Sequence, residues 1–191
     1  MISNVATRLF VERGFENVSV DDIASAADVA RKTVFNYFPR KEDLVFDREE
    51  EGRALVRQAL ADRGKQSPVH AFQTLMRTLV ESGHPIFKIT ERPVQFWRTV
   101  ADSPALTARA RELQVTLADD LADMLSGAVG RSSPDADARL AAAMLMDTLV
   151  IAYNEALHTF RKKRKAKEAF ASVMERGFTG VNAALAGTPY V

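Results

Sequence analysis

The chain has 191 residues, with 26 lysines and arginines against 25 aspartates and glutamates, and its formal net charge is +1. This near-neutrality argues against a protein that coats nucleic acid through bulk electrostatics, so any contact with phosphates must come from a local patch. The lack of cysteine excludes disulfides, thiolate nucleophiles and cysteine-ligated metals, and it is typical of a reducing cytoplasm.

Three short helices are predicted at the start of the chain. Residues 2–13 carry an apolar stripe at helical spacing, and Gly14 follows as a left-handed C-cap. Ser19 is a good N-cap for a second helix over 20–27, because its hydroxyl can accept from an unpaired N–H group and two acids follow in the first turn. A turn separates this helix from a third one over 30–38, which is ended by the proline that follows it.

The rest of the chain also shows helical periodicity and no convincing alternating strand. No apolar run approaches the length of a membrane span, and no charged leader precedes an apolar block, so we expect neither a membrane helix nor a secretory signal. The predicted fold class is therefore all-α, with about nine helices. The remaining predicted elements are a long charged helix from about Lys41, a linker at 64–68, a helix ending near Gly83, a helix kinked or split at Pro93, a helix opened by Pro104, and helices over 133–161 and 166–186.

The second and third helices have the layout of a helix–turn–helix. Such a motif crosses two short helices steeply, so small and apolar side chains must fill the crossing. Asp28 occupies the turn, where a positive φ is needed and where aspartate is tolerated next after glycine. The predicted core positions are Ile23, Ala24, Ala27, Val29, Val34 and either Tyr37 or Phe38.

A small basic island begins at this turn. The stretch VARKTVFNYFPRK, residues 29–41, holds four cationic side chains, no acid and three aromatic rings. Its outward-facing polar side chains could enter a major groove and reach base edges and phosphates. Taken alone, Arg31 and Lys32 would more often be solvated residues on a helix face, so this interpretation depends on the whole motif.

The segment GFENVSVDDIASAADVARKTVFNYFPRKEDLV is similar to the DNA-binding segment of TetR-family transcriptional regulators. The shared pattern comprises a glycine–aromatic turn, a serine start, an Asp-Ile-Ala core, a recognition helix with threonine and aromatics at fixed spacing, and a lysine–acid–leucine sequence after it. The close match covers about residues 1–46. Beyond that point, only the length and the all-helical character agree with the family.

The resemblance implies roles for particular side chains at a DNA interface. Ser19 would cap the second helix and bind a phosphate, and Tyr37 and Lys41 would contact the DNA backbone. Phe35, which stands where tyrosine is commoner, would pack against a thymine methyl group or a sugar. The residues predicted to contact DNA are Ser19, Arg31, Lys32, Thr33, Phe35, Asn36, Tyr37 and Lys41.

Three positions depart from the family pattern. Asp28 replaces the common glycine, Ala30 replaces the common serine cap, and Lys32 stands where glycine or proline is frequent. Loss of the serine cap should cost about 0.5–2 kcal/mol locally, whereas the added lysine should strengthen contact with phosphates or bases. The family often carries a basic arm before the first helix, and we expect no minor-groove contact from such an arm here.

The resemblance also implies two domains and a set of partners. Residues 1–46 would form the DNA-binding domain, and residues 47–191 would bind an effector and dimerise. The implied protein is a cytoplasmic homodimer that represses transcription at a near-palindromic, double-stranded operator and is released by a small-molecule effector of unknown identity. The sequence does not separate a repressor from an activator of the same fold.

Methionine, aromatic and leucine side chains in the middle helices are candidate walls of an effector pocket. Walls of this kind with few polar groups would suit an apolar or amphipathic ligand. The same apolar residues would serve equally well as an ordinary helical core, and the polar ones could be exposed. The candidate pocket residues are Phe72, Met76, Leu79, Phe96, Trp97, Val100, Leu117, Leu121, Tyr153, Asn154 and His158.

The last two predicted helices are apolar on more than one face, which is typical of buried helices. They are the natural pair to form a four-helix interface with a second copy of the chain, although burial within the monomer would account for part of their apolar surface. The candidate interface residues are Met144, Ile151, Phe170, Val173, Met174, Gly177, Phe178 and Val181.

Catalysis finds little support in the sequence. The three histidines are far apart, and no nucleophile elbow, zinc signature or phosphate-binding glycine loop is present. We therefore predict no catalytic residue, no metal site and no cofactor. The alternative that stays open is a helical small-molecule binder or enzyme whose small domain no longer reads DNA. The basic run RKKRKAK, residues 161–167, could be a second patch for nucleic acid or an acidic ligand, and we favour its interpretation as a solvated loop and helix end.

Overall fold

The computed structural model describes residues 2–87, 91–162 and 165–191. These residues form nine α-helices and no strand, which confirms the predicted all-α fold. Two short 3-10 helices, Lys41–Leu44 and Pro85–Phe87, precede α4 and α6. The α-helices are α1 (Ile2–Arg13), α2 (Val20–Ala26), α3 (Arg31–Tyr37), α4 (Glu49–Ala61), α5 (Pro68–Glu81), α6 (Glu91–Asp102), α7 (Pro104–Ala128), α8 (Ala136–Arg161) and α9 (Ala166–Ala184).

Two predicted helices differ from the observed ones. The chain does not continue as one long helix from Lys41; it makes the 3-10 turn, and α4 begins only at Glu49. The adjacent residues Leu44 and Val45 are both buried in one core, and this packing overrides the helical tendency of the segment. The kink or split expected at Pro93 is also wrong. That proline falls in the first turn of α6, where its missing N–H is not needed, whereas residues 88–90 lie outside the described part of the chain.

The chain divides into two compact units. Unit 1 comprises Met1–Glu50 and Glu91–Glu112, and unit 2 comprises Glu51–Thr90 and Leu113–Val191. Helix α6 and the first part of α7 therefore fold with the three N-terminal helices, which the sequence did not indicate. The functional boundary between residues 46 and 47 stays a prediction, because it concerns roles rather than contacts.

Unit 1 has a small core built across α1, α2, α3, α6 and α7. Helix α1 ends at Gly14, which has φ +81° and donates its N–H to the carbonyl of Phe10 at 2.9 Å. The rings of Phe10 and Phe15 lie 4.9 Å apart, centre to centre. The buried apolar residues of this core are Ala6, Leu9, Phe10, Phe15, Val18, Ile23, Ala24, Val34, Leu44, Val45, Val100 and Leu106.

Unit 2 depends on close packing between long helices. A Cβ atom added at Gly177 of α9 would overlap the Thr148 side chain of α8, so glycine is what allows these two helices to approach. Gln73 of α5 is fully buried, and its amide nitrogen donates to Asn182 of α9 at 2.9 Å. This bond satisfies a polar group that would be costly to bury alone.

A tyrosine near the end of the described chain makes hydrogen bonds to two helices of unit 2. Tyr190 is fully buried, and its hydroxyl donates to Asp135, the N-cap residue of α8, at 3.0 Å. Its carbonyl accepts the N–H of Val69 in the first turn of α5 at 3.1 Å. One tyrosine therefore ties the starts of two helices together.

The expectation that no stretch is apolar enough to cross a membrane is wrong for one helix. Within α8, Ala136–Phe160 passes on length and composition, with a mean hydropathy of 1.3 over an 18-residue window, and 33% of that window is buried inside the chain. The core helix of a soluble protein passes the same test. Because α8 packs along α9 in unit 2, we interpret it as a core helix.

Candidate nucleic-acid interface

Helix α2 begins at a reciprocal pair of hydrogen bonds. The Ser19 hydroxyl accepts the N–H of Asp22 at 3.1 Å, and the Asp22 carboxylate accepts the N–H of Ser19 at 2.8 Å. Bonds from the Ser19 side chain and then from its backbone hold the pKa of the Asp22 carboxyl below its usual range. The predicted N-cap is therefore present, and it fixes where α2 begins.

The turn between α2 and α3 takes the form that the sequence predicts. Asp28 has φ +53°, the one positive φ among the described non-glycine residues, and the next N–H, that of Val29, donates to Ala24 at 3.0 Å. Helix α3 then begins at Ala30 without a side-chain cap, as expected from the loss of the family's serine. An exposed aspartate here supplies the left-handed residue that glycine usually provides.

The crossing of α2 and α3 buries one face of α3 and exposes the other. Ile23 and Val34 are 0% and 1% exposed, and Phe38 is half-buried. Tyr37 is 71% exposed, so of the two aromatics proposed to close the crossing it is Phe38 that packs inward. The helix therefore presents a side that can be approached from solvent.

The residues predicted to contact DNA are all exposed or half-buried in unit 1. Thr33 and Lys41 are half-buried. Phe35 is an apolar ring at 39% exposure, which suits a residue predicted to meet a methyl group or sugar. The exposed members of the predicted set are Ser19, Arg31, Lys32, Phe35, Asn36 and Tyr37.

The four cations of the basic island differ in their partners. Arg31 donates to the Asp21 carboxylate of α2 at 2.9 Å, and Arg40 donates to Glu112 of α7, also at 2.9 Å. In the part of the chain that the structure describes, no carboxylate pairs with Lys32. Lys32 is therefore the cation of the island that neither an acid nor burial offsets.

The ammonium group of Lys41 is turned towards the core of unit 1. It donates to the carbonyl of Phe15 at 2.6 Å and lies 4.1 Å from the centre of the Phe15 ring. Burial lowers the pKa of Lys41, against the opposing effect of nearby Glu16. One of its three N–H donors is thus already used, which leaves at most two for a phosphate.

Sequence reasoning missed Asp21 and Glu112 as neighbours of the island. Asp21 lies ten residues before Arg31, and Glu112 lies seventy-two residues after Arg40. Neither separation corresponds to a helical neighbour, so the pairs follow only from the three-dimensional crossing of the helices. An acid in the first turn of α2 is the one signal that could have pointed to Asp21.

The predicted effector-pocket residues are divided between the two units. Phe96, Trp97 and Val100 pack with the core of unit 1, and their place in an effector pocket stays a prediction. Asn154 and His158 are exposed on α8 and so do not line an enclosed space. The remaining candidates lie in unit 2, where Leu117 is half-buried on α7 and the others belong to its core or pack against it: Phe72, Met76, Leu79, Leu121 and Tyr153.

The eight residues predicted for the dimer interface differ in their exposure, and the interface itself stays a prediction. Gly177 faces Thr148 of α8 within the same chain. Met144 and Val173 are half-buried, whereas Ile151 is 58% exposed. Four of the candidates are buried inside the monomer and offer no surface to a second copy: Phe170, Met174, Phe178 and Val181.

A surface pocket of about 590 Å³ lies in unit 1, and it contains none of the predicted pocket residues. Ser103 donates to Glu16 at 2.8 Å beside it. Within the described residues, no group of three or more His, Asp or Glu side chains could hold a metal ion. The pocket is lined by Phe10, Val11, Glu12, Gly14, Phe15, Glu16, Asn17, Gln95, Arg98, Thr99, Asp102 and Ser103.

The basic run at 161–167 is only partly described, because residues 163–164 lie outside the described part of the chain. Lys165 is exposed and pairs with Glu168 at 2.9 Å, a hydrogen bond that raises the pKa of the lysine. Lys167 is also exposed, at the start of α9. The interpretation of the run as a solvated helix end stays a prediction.

Comparisons with known proteins agree with this geometry. Residues 2–47 match the sequence profile described as "Bacterial regulatory proteins, tetR family". The MftR transcriptional regulator of Mycobacterium tuberculosis is 58% identical over 40 residues, which are 21% of this chain and 20% of that protein. The HTH-type transcriptional regulator UidR of Escherichia coli K12 is 23% identical over 150 residues, which are 76% of this chain and 74% of UidR.

The fold is also found in solved structures. FadR of Thermus thermophilus, a TetR-family transcriptional repressor crystallised in complex with lauroyl-CoA, superposes with a TM-score of 0.58 and 23% identity. The match covers 94% of this chain and 92% of FadR. With the helix–turn–helix and its exposed polar face, these matches identify residues 2–47 as a DNA-binding domain of the TetR type, in a chain that is similar to TetR-family transcriptional regulators and shares their all-α fold.

Proposed function

We propose that the chain is a cytoplasmic, homodimeric repressor that binds a near-palindromic operator through α3 and is released by a small-molecule effector. The observation that carries this proposal is the exposed polar face of α3 behind a fully buried crossing at Ile23 and Val34. A rigid crossing holds the helix, and the solvent side offers cationic, amide and aromatic groups to base edges and phosphates. Two such helices would enter successive major grooves about 34–36 Å apart.

Binding to the DNA upstream of the chain's own gene tests the first part of the proposal. Fluorescence anisotropy should show much tighter binding to this DNA than to a scrambled duplex of the same length at physiological salt. Replacing Lys32 with Ala should weaken binding to both duplexes and reduce the slope of log affinity against log salt by about 1. Lys65→Ala, an exposed lysine of unit 2, is the matched control and should change neither quantity. Equal affinity for both duplexes would refute the repressor proposal.

A second copy of the chain is proposed to pack on α8. The interface that we propose uses the apolar side chains that α8 leaves accessible, Leu140 (46% exposed), Ile151 (58% exposed) and the half-buried Met144 between them. Their spacing places them along one stripe of the helix. Several exposed apolar side chains along one stripe mark an interaction surface, whereas a single one does not.

The oligomeric state checks this interface directly. Sedimentation should show a dimer for the wild type and a monomer for Ile151→Glu, since a buried unpaired carboxylate opposes association. Val115→Glu on α7 is the control, because it adds the same charge at an apolar residue that is 63% exposed. Loss of the dimer in both variants, or in neither, would remove the stripe on α8 from the proposal.

The effector is proposed to be apolar or amphipathic and to bind among the apolar side chains of unit 2. Phe72 and Met76 of α5 lie in this core, and the rings of Phe87 and Tyr153 lie 5.5 and 6.4 Å from the ring of Phe170. Aromatic and methionine walls adapt to such ligands. Lauroyl-CoA, which FadR binds in its crystal structure, is a suitable first probe for this proposal.

Release from DNA is measured by adding lauroyl-CoA to the complex. A coupling free energy of about 1–3 kcal/mol would lower operator affinity roughly 5–150-fold. Coenzyme A without the acyl chain is the control, and it should leave the complex intact. Release by both compounds would show that the acyl chain is not what unit 2 recognises.

We propose no catalytic role, because the family is a class of regulators rather than enzymes. The double replacement of Arg31 and Lys32 by Ala separates the two classes of function. It should abolish operator binding in a regulator, whereas an enzyme that uses unit 2 would keep its turnover.

A further inference from the structure

Arg31 is held from two directions on the solvent side of α3. Its Nη1 donates to the Asp21 carboxylate at 2.9 Å, and its guanidinium carbon lies 5.5 Å from the centre of the Phe35 ring. The carboxylate comes from the first turn of α2, and the ring comes from the next turn of α3. Both groups restrict a side chain that would otherwise sample many conformations.

The pair contributes little to the fold. The Arg31 and Asp21 side chains are 60% and 63% exposed, and ion pairs at that exposure have small effects on stability. Asp21 also has no part in the cap of α2, because the reciprocal bonds to Ser19 are made by Asp22. An acid in the first turn of α2 also interacts favourably with the helix dipole, but that interaction does not require the contact with Arg31.

The position of Asp21 is unfavourable for simple attraction to DNA. A carboxylate beside the predicted contact surface repels phosphates and offsets the charge of Arg31, so it lowers non-specific affinity. The Asp21 carboxylate can instead improve base recognition by positioning Arg31, because an arginine held in one place distinguishes bases better than one that can turn to any phosphate. Contacts to base edges carry sequence information, and contacts to phosphates do not.

We propose that Asp21 is a positioning residue that directs Arg31 to a guanine of the operator. With Nη1 bonded to Asp21 and the guanidinium lying beside the Phe35 ring, the other donors of the group remain for the O6 and N7 atoms of guanine. Guanine is the base that offers two adjacent acceptors in the major groove and is the usual partner of arginine there. This inference rests on the proposed operator binding.

The test compares base preference rather than affinity alone. The affinity of the wild type is measured for the operator, for a set of operators with each guanine replaced in turn, and for a scrambled duplex. Replacement of one particular guanine, at symmetry-related positions of the operator, should lower the affinity of the wild type about 5–150-fold. The same replacement should not change the affinity of Arg31→Ala. Asp21→Asn should keep or increase affinity for scrambled DNA while its preference for this guanine falls about tenfold.

Two further variants separate positioning from charge. Asp47→Asn removes the same charge from another exposed aspartate of unit 1, and it should leave the preference for guanine unchanged. Asp21→Glu keeps the carboxylate and should restore much of the preference that Asp21→Asn loses. Thermal unfolding should show all of these variants folded, because none of them touches the core or a cap.

The outcomes are distinct. If Asp21→Asn keeps the full preference for guanine, or if Asp47→Asn reduces it equally, Asp21 is not a positioning residue, even though operator binding stands. If the wild type does not distinguish the operator from scrambled DNA, the proposed function itself fails and this inference fails with it.

Discussion

Unit 1 and unit 2 are both helical, but their helices are held by different means. In unit 1, α2 and α3 have seven residues each, which is too short for a stable isolated helix. They are fixed by a capping box, an aspartate with positive φ and a small apolar core. In unit 2, α8 and α9 have 26 and 19 residues and are held by packing along their length, with few local signals. A sequence motif can therefore identify unit 1, whereas unit 2 depends on contacts between distant residues.

The largest effect on stability is expected where α9 packs closely against α8 in unit 2. Gly177→Ala should destabilise unit 2 by about 1–3 kcal/mol, because the new Cβ overlaps the Thr148 side chain and the two helices must move apart. Gly180→Ala in the same helix meets no atom within 4 Å and should instead stabilise it by roughly 0.5–1 kcal/mol. Hydrogen exchange of the α8 and α9 amides measures both changes. Equal effects at the two glycines would show that the approach of α8 and α9 is not limiting.

A smaller effect on stability is expected when the N-cap of α2 in unit 1 is removed. Ser19→Ala removes the hydroxyl that accepts the N–H of Asp22, so it should destabilise unit 1 by about 0.5–2 kcal/mol. The control is Ser25→Ala, an exposed serine within α2 that makes no cap. The exchange of amides in α2 and α3 should increase in the first variant alone. Unchanged exchange in Ser19→Ala would mean that the crossing, not the cap, fixes the start of α2.

A third variant tests whether a single long-range hydrogen bond matters as much as a cap. Tyr190→Phe keeps the buried ring and removes the hydroxyl that donates to Asp135, so we expect a loss of about 0.5–1.5 kcal/mol in unit 2. Chemical unfolding followed by far-ultraviolet circular dichroism measures it. A loss well beyond this range would indicate that Asp135, left without this partner, no longer caps α8.

The fold of unit 1 could largely be predicted from the sequence because its signals are local. Ser19, Asp28 and the proline after Phe38 each act on their nearest neighbours, so α1 to α3 begin and end close to the predicted residues. The turn after Lys41 could not be predicted, since it depends on the burial of Leu44. The membership of α6 in this unit also depends on contacts across the chain.

The candidate sites could also be predicted where the signals are local, and could not be predicted where distant residues make the contacts. The exposed face of α3 was predictable, because the apolar positions of one short helix determine which face remains outside. The partners of Arg31 and Arg40 were not, since Asp21 and Glu112 reach them from other helices. The apolar face of α9 was assigned to a partner, yet Phe170 and its neighbours fill the core of their own chain. An apolar stripe shows that a face is buried and does not show by what.

The smallest expected effect is on stability at low pH. Each unit should lose the stabilising contribution of one carboxylate, and the two units should lose it at different pH values. Hydrogen bonds hold the pKa values of Asp22 in unit 1 and Glu175 in unit 2 below their usual range, through Ser19 and Arg77 respectively. A carboxyl with a lowered folded pKa stabilises the fold above its unfolded pKa, and this contribution is lost as the pH falls through the folded value. Because the unfolded values are 3.8 for aspartate and 4.5 for glutamate, the loss at Glu175 should begin at the higher pH.

Replacing each carboxyl by its amide isolates these two contributions. Glu175→Gln should flatten the pH dependence of stability in unit 2 from about pH 4.5 downwards, and Asp22→Asn should do so in unit 1 from about pH 3.8 downwards. Nuclear magnetic resonance titration of the two carboxyl carbons in the wild type supplies the folded pKa values independently. If the Asp22 carboxyl titrates at its unfolded value, the capping box is not maintained in solution, and α2 is then held only by the core that it shares with α3.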